Sequence, residues 1–465
     1  MKYIAMTIGP ITDTMMLGRK TSEIWGASYL FSSFMKAVIK KLKAKEGVEF
    51  LIPYVHDDTL FESKDDGIGM FHDRFILQSA HLTLQDVHAI VEEEKEIVGR
   101  MIAESIKRDE NKVIEFFKNY LQTYLFSSEQ TYTNPVLEIS AILDHMELHT
   151  PVFQSDEDYI RLFLNRNTLL HSSMIQTSFG KQNVSFDSIE AIAASIEAIA
   201  AQENNKDIAG STEFKNAAKY IAIIHADGDN LGAYIKDHEN VAEVSKNLFE
   251  FDKQSVKIIK EFGGLPLFVG GDDLLIFAPV INKDKQTVFD LIDSLSQTYK
   301  ESLSSEKTTL SFGVSITYYK YPLYEALAKS RDTLFDVAKG YKDKNAVAVS
   351  IQKHSGQSFE FCIGKNESAY ATFSNLIKSV LSEEVELPHA IHHKLGVLKP
   401  LLSRLKKENL AETFENFFNE DMHKSKFKNG LEKIKELLND LGLSLESQTK
   451  FFAMLSTIKL LRGDR

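Results

Sequence analysis

The chain has 465 residues, 43% hydrophobic and 26% charged, the balance of a soluble globular protein with room for about two to four domains. A net charge of −12, from 54 basic and 66 acidic residues, argues against a stand-alone protein that grips nucleic acid across a whole face. The single cysteine, Cys362, excludes an internal disulfide framework and a cysteine-rich zinc site, and no apolar run approaches the ~20 residues that span a bilayer. The opening MKYIAMTIGP has no cleavage signature, so a cytoplasmic location without membrane contact is expected.

In chain order, KYIAMTIG reads as a strand, and from Thr21 to Leu42 the apolar positions Ile24, Trp25, Tyr29, Phe31, Phe34, Met35, Val38 and Ile39 share one helix face. The lysines at 36, 40, 41, 43 and 45 read as that helix's solvated side. VEFLIPYV, 48 to 55, follows as a strand, and 82 to 125 carries helical periodicity. SIEAIAASIEAIAA, from 188, repeats SIEAIAA at a spacing of seven, which suits a short helix beside the polar linker QENNKDIAGSTE.

A second strand-first segment opens at KYIAIIHADGDNLG, 219 to 232, and its KYIA repeats residues 2 to 5, as a duplicated domain would. Strands are then expected at 220–226, 265–269, 274–278, 308–318 and 345–351, with helices near 241–262, 284–303 and 323–339. This β-α-β-β-α-β order is the ferredoxin-like pattern. Residues 365 to 465, rich in Leu, Lys, Glu and Phe at helical spacing, predict a C-terminal helical bundle.

In such a sheet the first strand lies beside the middle hairpin, so Asp227, just past the first strand, meets Asp272 and Asp273 of FVGGDDLLIF although 45 positions separate 227 from 272. Taken singly, DGDN and GGDD also suit turns, since Asp, Gly and Asn all favour them. Together the acids carry a cost: carboxylates ~4 Å apart repel by roughly 4 kcal/mol at an effective dielectric of about 20. A divalent cation offsets it, and Mg²⁺ takes a few carboxylates plus phosphate oxygens. Two such ions would activate an attacking hydroxyl and stabilise a leaving pyrophosphate, while Gly228, Gly270 and Gly271 let backbone and phosphate approach closely.

KYIAIIHADGDNLG with FVGGDDLLIFAP, the stretch 310–356 and IGPITDTMMLGRKTSEIWGASYLFSSFMKAV at 8–38 together resemble the large polymerase/cyclase-like subunit of type III CRISPR effector complexes, of the Cmr type. The resemblance implies an α+β fold with two ferredoxin-like palm domains, the second active, with helical insertions and the C-terminal bundle. The expected division is 1–80 for part of a degenerate first palm, 81–210 completing or linking it, 211–356 for the second palm and 365–465 for the helices. It implies an antiviral subunit that, when the complex binds target RNA, joins ATP molecules into cyclic oligoadenylate. Asp227, Asp272 and Asp273 would be catalytic, and with the Gly228 backbone would hold two Mg²⁺ or Mn²⁺ ions. Asn230, Gly228, Gly270, Gly271, Ser311, Gly313, Lys339 and Lys344 would contact nucleotide, the two lysines near the triphosphate, although helix-end lysines equally suit a helix dipole. The implied partners are the small subunit, the backbone and crRNA 5′-end-binding subunits, crRNA and target RNA.

Three departures from the family pattern follow. The HD nuclease domain that commonly precedes the first palm is not expected, His56-Asp57 and His72-Asp73 being read as chance adjacencies, so no DNase activity is expected. No zinc ribbon is possible with one cysteine, and MTIGPIT replaces the acidic ligands in the first palm. Some nuclease-less relatives condense ATP with S-adenosylmethionine, which makes that conjugate an alternative product and S-adenosylmethionine an alternative co-substrate. The competing functions are a non-catalytic scaffold for crRNA and subunits, and a stand-alone GGDEF-type nucleotide cyclase.

Overall fold

The computed structural model describes residues 2–57, 61, 68–149, 155–165, 217–237, 241–387, 391, 395–397, 404, 409–418 and 425–463. The SIEAIAA repeat and the polar linker after it lie outside the described residues.

Two sheets organise the chain, giving a mixed α+β fold. The first is built from β1 (Lys2–Gly9), β2 (Val48–Ile52), β3 (Arg74–Ser79) and β4 (Gln122–Ser128), in the spatial order β2-β3-β1-β4. The second holds β5 (Tyr220–Asp229), β6 (Leu265–Gly270), β7 (Asp273–Pro279), β8 (Thr309–Tyr318), β9 (Ala346–Gln352) and β10 (Ser358–Gly364), in the order β6-β7-β5-β8-β9-β10. Its first four strands repeat the arrangement of the first sheet, and only β8 and β9 pair in parallel. The same ferredoxin-like order therefore occurs twice.

Strand alternation explains why YIAIIHA is apolar almost throughout. Ala222, Ile224 and Ala226 face a core formed with the helices Val241–Phe262 and Val288–Leu303. Ile221 and Ile223 face the opposite way, into a core shared with the helix Thr21–Lys43 of the first half. Leu267, Leu275 and Phe277 join that shared core, so one helix is packed between both sheets. The halves are stitched further by the Val269 N–H, which donates to the Gly69 carbonyl at 3.1 Å. The outer face of the first sheet, through Ala5 and Ile76, is covered by the helix Pro135–Glu147.

The helical run expected over 82–125 divides into helices Leu84–Ile106 and Glu110–Tyr120 and then gives way to β4. Leu121 is already extended, and the aromatic and β-branched QTYLF that follows suits a strand better than a third helix. The helix expected over 323–339 is α-helical only over Leu323–Asp332 and continues as a π-helical turn, Thr333–Ala338, of the kind often found beside functional sites. β10 lies past residue 356 and extends the second sheet as a hairpin with β9. The helices Ser368–Leu381, Ser425–Leu441 and Leu445–Leu461 pack on the same core as β5 and β8. No helix among the described residues is long and apolar enough to cross a membrane.

Candidate metal and nucleotide site

β5 pairs with β8 right to its end, so Asp227, Gly228 and Asp229 stand in register opposite Ser311, Leu310 and Thr309. On the other side of β5, the β6–β7 hairpin turns through Gly271 and Asp272 between the paired Gly270 and Asp273. Gly271 has φ +68, a left-handed conformation that costs glycine nothing and most residues a great deal. The outcome is a three-acid cluster: one carboxylate oxygen from each of Asp227, Asp272 and Asp273 lies within 4.8 Å of the others.

The electrostatics of the cluster are unfavourable without a cation. Removal from water, and then the charge of Asp227, push the Asp272 carboxyl up to about 7. Asp273 keeps an exposed edge, yet enough protein surrounds its carboxyl to strip hydration, and this with the charge of Asp272 holds it well above the ordinary carboxylate range. The direction follows from crowding as much as from depth, because both neighbours are acids.

Asp229 has a different place. It is fully buried and outside the cluster, its Oδ2 accepting from Thr309 Oγ1 at 2.8 Å, Ser311 Oγ at 2.8 Å and the Asn345 amide at 3.0 Å. Lys339, just after the π-helical turn, donates to Asp229 Oδ1 at 3.0 Å and to the carbonyls of Asp227 and Gly228 at 2.9 and 2.6 Å, and it ion-pairs with Asp227. Burial works to lower its pKa, but the two aspartates outweigh that and the ammonium is held above its usual value. Lys344 sits in the left-handed stretch 343–345, and it is the amide of the next residue that reaches Asp229. Asn230 turns toward Lys307, donating to its carbonyl at 3.4 Å. Ser311 anchors Asp229, Gly270 lies against the Phe268 ring, and a Cβ on Gly313 would come within 2.3 Å of the Ser330 carbonyl, so β8 packs there directly on the helical turn.

Several residues at the site carry no local motif. Tyr299, from the helix Val288–Leu303, is fully buried with an unpartnered hydroxyl, and a Cβ on Gly228 would meet that oxygen at 2.7 Å and Asp272 Oδ2 at 2.4 Å. Asp252 reaches the hairpin turn from the helix Val241–Phe262. His72 and Asp73, read from sequence as a chance pair, border the cluster: the His72 ring lies against Gly271, and both residues line the cavities on either side of Asp273. One cavity, about 330 Å³, runs between the halves past Asp272 to Tyr54 and Phe249. The other, about 230 Å³, is bordered by Met16, His225, Arg331 and Phe335.

These residues fit a divalent cation. The donor set is all oxygen, as Mg²⁺ and Mn²⁺ prefer, the carboxyls repel one another in its absence, and Gly228 keeps open a space that any side chain would fill.

Comparison with known proteins agrees with this geometry. Residues 220–348 match the family described as Cas10/Cmr2, second palm domain, and residues 3–115 match the N-terminal domain of CRISPR-associated protein Cmr2, together just over half of the chain. The chain belongs to the Cas10/Cmr2 family. Over 200 residues it is 28% identical to the CRISPR system Cmr subunit Cmr2 of Pyrococcus furiosus, a match that spans 37% of this chain and 23% of that protein. All of the chain is covered by a chain of the type III-B Cmr-beta complex in its apo state, with TM-score 0.64, 11% identity and 82% of that chain covered. A Csm1-Csm4 cassette in complex with AMPPNP gives TM-score 0.53 at 12% identity, covering all of this chain and 70% of that one. At such identities the likeness is one of fold. The second-palm match over 220–348 covers β5 to β8, the strands at whose end the three acids converge.

Proposed function

We propose that this Cas10/Cmr2 chain is the nucleotidyltransferase subunit of a type III CRISPR complex, making an adenylate messenger from ATP once target RNA is bound. The observation that carries this reading is the convergence of Asp227, Asp272 and Asp273 beside Lys339 at the end of the palm strands. In the reaction an acceptor hydroxyl forms a bond to the α-phosphorus of ATP, the bond from that phosphorus to the β-phosphate oxygen breaks, and pyrophosphate leaves with the hydroxyl proton taken up by solvent. Bound divalent cations supply charge neutralisation at the phosphates and activate the hydroxyl. Asp227 and Asp272 hold them, and Asp273 assists from the rim. Asp229, locked by four donors, holds Lys339 where it can meet a triphosphate. Gly228 leaves the close approach open.

The partners in this reading are crRNA, target RNA and the small, backbone and crRNA 5′-end-binding subunits. Solved relatives of the same fold include a Cmr-beta complex bound to cognate target RNA and a Csm1-Csm4 cassette with AMPPNP, which supports it. The test is the reconstituted ribonucleoprotein incubated with ATP, with and without S-adenosylmethionine, and read by mass spectrometry. Cyclic oligoadenylate, or an adenylate conjugate that requires S-adenosylmethionine, is the expected product. Absence of either under RNA activation overturns the reading. A scaffold role has one observation in its favour, the Lys339 ammonium already paired with Asp227 and Asp229. That reading requires no pyrophosphate release and no change in complex assembly when metal is removed.

A further inference from the structure

Asp252 stands on the helix Val241–Phe262 and is 1% exposed. Its Oδ2 accepts the Gly271 amide N–H at 2.9 Å, tying the helix to the tip of the hairpin. Its Oδ1 has no hydrogen-bond partner and the residue borders the larger cavity together with Asp272 and Asp273. A buried carboxyl with one idle oxygen is costly, and a leucine would satisfy this apolar helix face better.

The turn explains what the acid does. Gly270 and Gly271 are adjacent glycines, the most permissive backbone a hairpin can have, and the residues that follow are the two acids. Gly271 is buried, so its N–H finds no water and takes Asp252 instead. Across the turn the His72 ring closes the other side, since a Cβ on Gly271 would meet its Cε1 at 2.3 Å. A loose turn is thus gripped between a helix of the second half and a side chain of the first. Asp252 is outside the three-acid cluster, and its Oδ2 is already engaged by the Gly271 amide.

We propose that Asp252 is a positioning residue: by holding the Gly271 amide it fixes the hairpin turn so that Asp272 and Asp273 converge with Asp227 on a divalent cation. The inference rests on the metal reading above and adds a residue through which that site is preorganised.

The test uses the full-chain protein and Mn²⁺ alone, with free Mn²⁺ measured by electron paramagnetic resonance beside a calorimetric melt. Asp252→Leu keeps the branched shape of the side chain and removes the acceptor, and weakens Mn²⁺ binding by about tenfold or more, the range for supporting partners of metal ligands. Asp252→Asn keeps a carbonyl oxygen for Gly271 and binds within about threefold of the unaltered protein. Wild-type Mn²⁺ affinity in Asp252→Leu overturns the proposal, as does an Asp252→Asn protein that melts normally yet binds as weakly as the leucine variant. Should Asp252→Leu fail to fold, the asparagine variant alone decides. Asp272→Ala serves as the separate control: if it still binds Mn²⁺ fully, the metal site is misassigned and the fault lies there.

Discussion

The two sheets share a strand order and differ at one corner. In the second, three carboxylates point inward from β5 and the β6–β7 turn onto one small volume. In the first, the strand end carries Pro10, and the corner is organised by Arg74 at the start of β3. Arg74 binds Asp144 at 2.8 Å and Glu147 at 3.2 Å, with Asp73 at 3.6 Å, and Thr7 adds a hydrogen bond to Glu147. Each corner thus has several acids and one internal cation. What separates them is direction: the acids around Arg74 point at its guanidinium, whereas the palm acids face one another. Convergence with desolvation, and not the number of acids, makes a corner that needs a metal.

The palm corner is the more sensitive of the two to substitution. Asp272→Ala with Asp273→Ala lowers pyrophosphate release by the assembled, RNA-activated complex by on the order of a thousandfold, as expected when transition-state charge loses its stabilising groups. Release that persists within about tenfold of the unaltered complex removes the contrast between the corners. Gly228→Ala is a gentler probe, since its Cβ would displace Asp272 and press on Tyr299. It costs roughly a hundredfold in turnover, the scale of an ångström of misplacement, with an overpacking loss of about 1–3 kcal/mol in the melt.

Titration sharpens the contrast without touching turnover. The Asp272 carboxyl lies at about 7 in the fold against an ordinary 3.8, so the folded chain holds a proton that the unfolded chain has released. Metal-free stability is therefore greatest below the lower of these values and declines as pH rises to the upper one, by up to ~1.4 kcal/mol per pH unit. Denaturant midpoints measured in chelator across that window show the decline. Saturating Mg²⁺ flattens it, and Asp272→Asn reduces it; an unchanged slope in both removes the charge argument. The smallest effect belongs to the first corner. Arg74→Ala costs about 1 kcal/mol of stability, discounted for the exposure of its partners, and leaves turnover within about threefold. A larger loss of turnover would make the first corner part of the active machinery.

Much of this was legible in the sequence. Near-continuous apolar runs ending in Gly and Asp located β5, β6 and β7, and the topology they spell sets Asp227 beside the GGDD turn. The helix of 241–262 also contained its own clue: Asp252 falls on the apolar face with Leu248, Val256 and Ile259, where an acid is out of place. His72-Asp73 just before β3 stands where the GGDD turn stands before β7, a correspondence hidden until both sheets share a topology. Tyr299 had no signal, because a tyrosine in an amphipathic helix looks the same whether its hydroxyl meets water or an aspartate. β10 was missed since a lone edge hairpin is marked only by its HSGQ turn. The exchange of an α-turn for a π-turn before Lys339 depends on packing against β8 and β9, which no local propensity encodes.

The helix Thr21–Lys43, clasped between the sheets, also governs how the molecule can be taken apart. A fragment beginning at residue 217 would keep every palm acid yet present Ile221, Ile223, Leu275 and Phe277 bare, an oily plate seeking any greasy companion. Such a truncation is expected to aggregate unless another surface covers that plate.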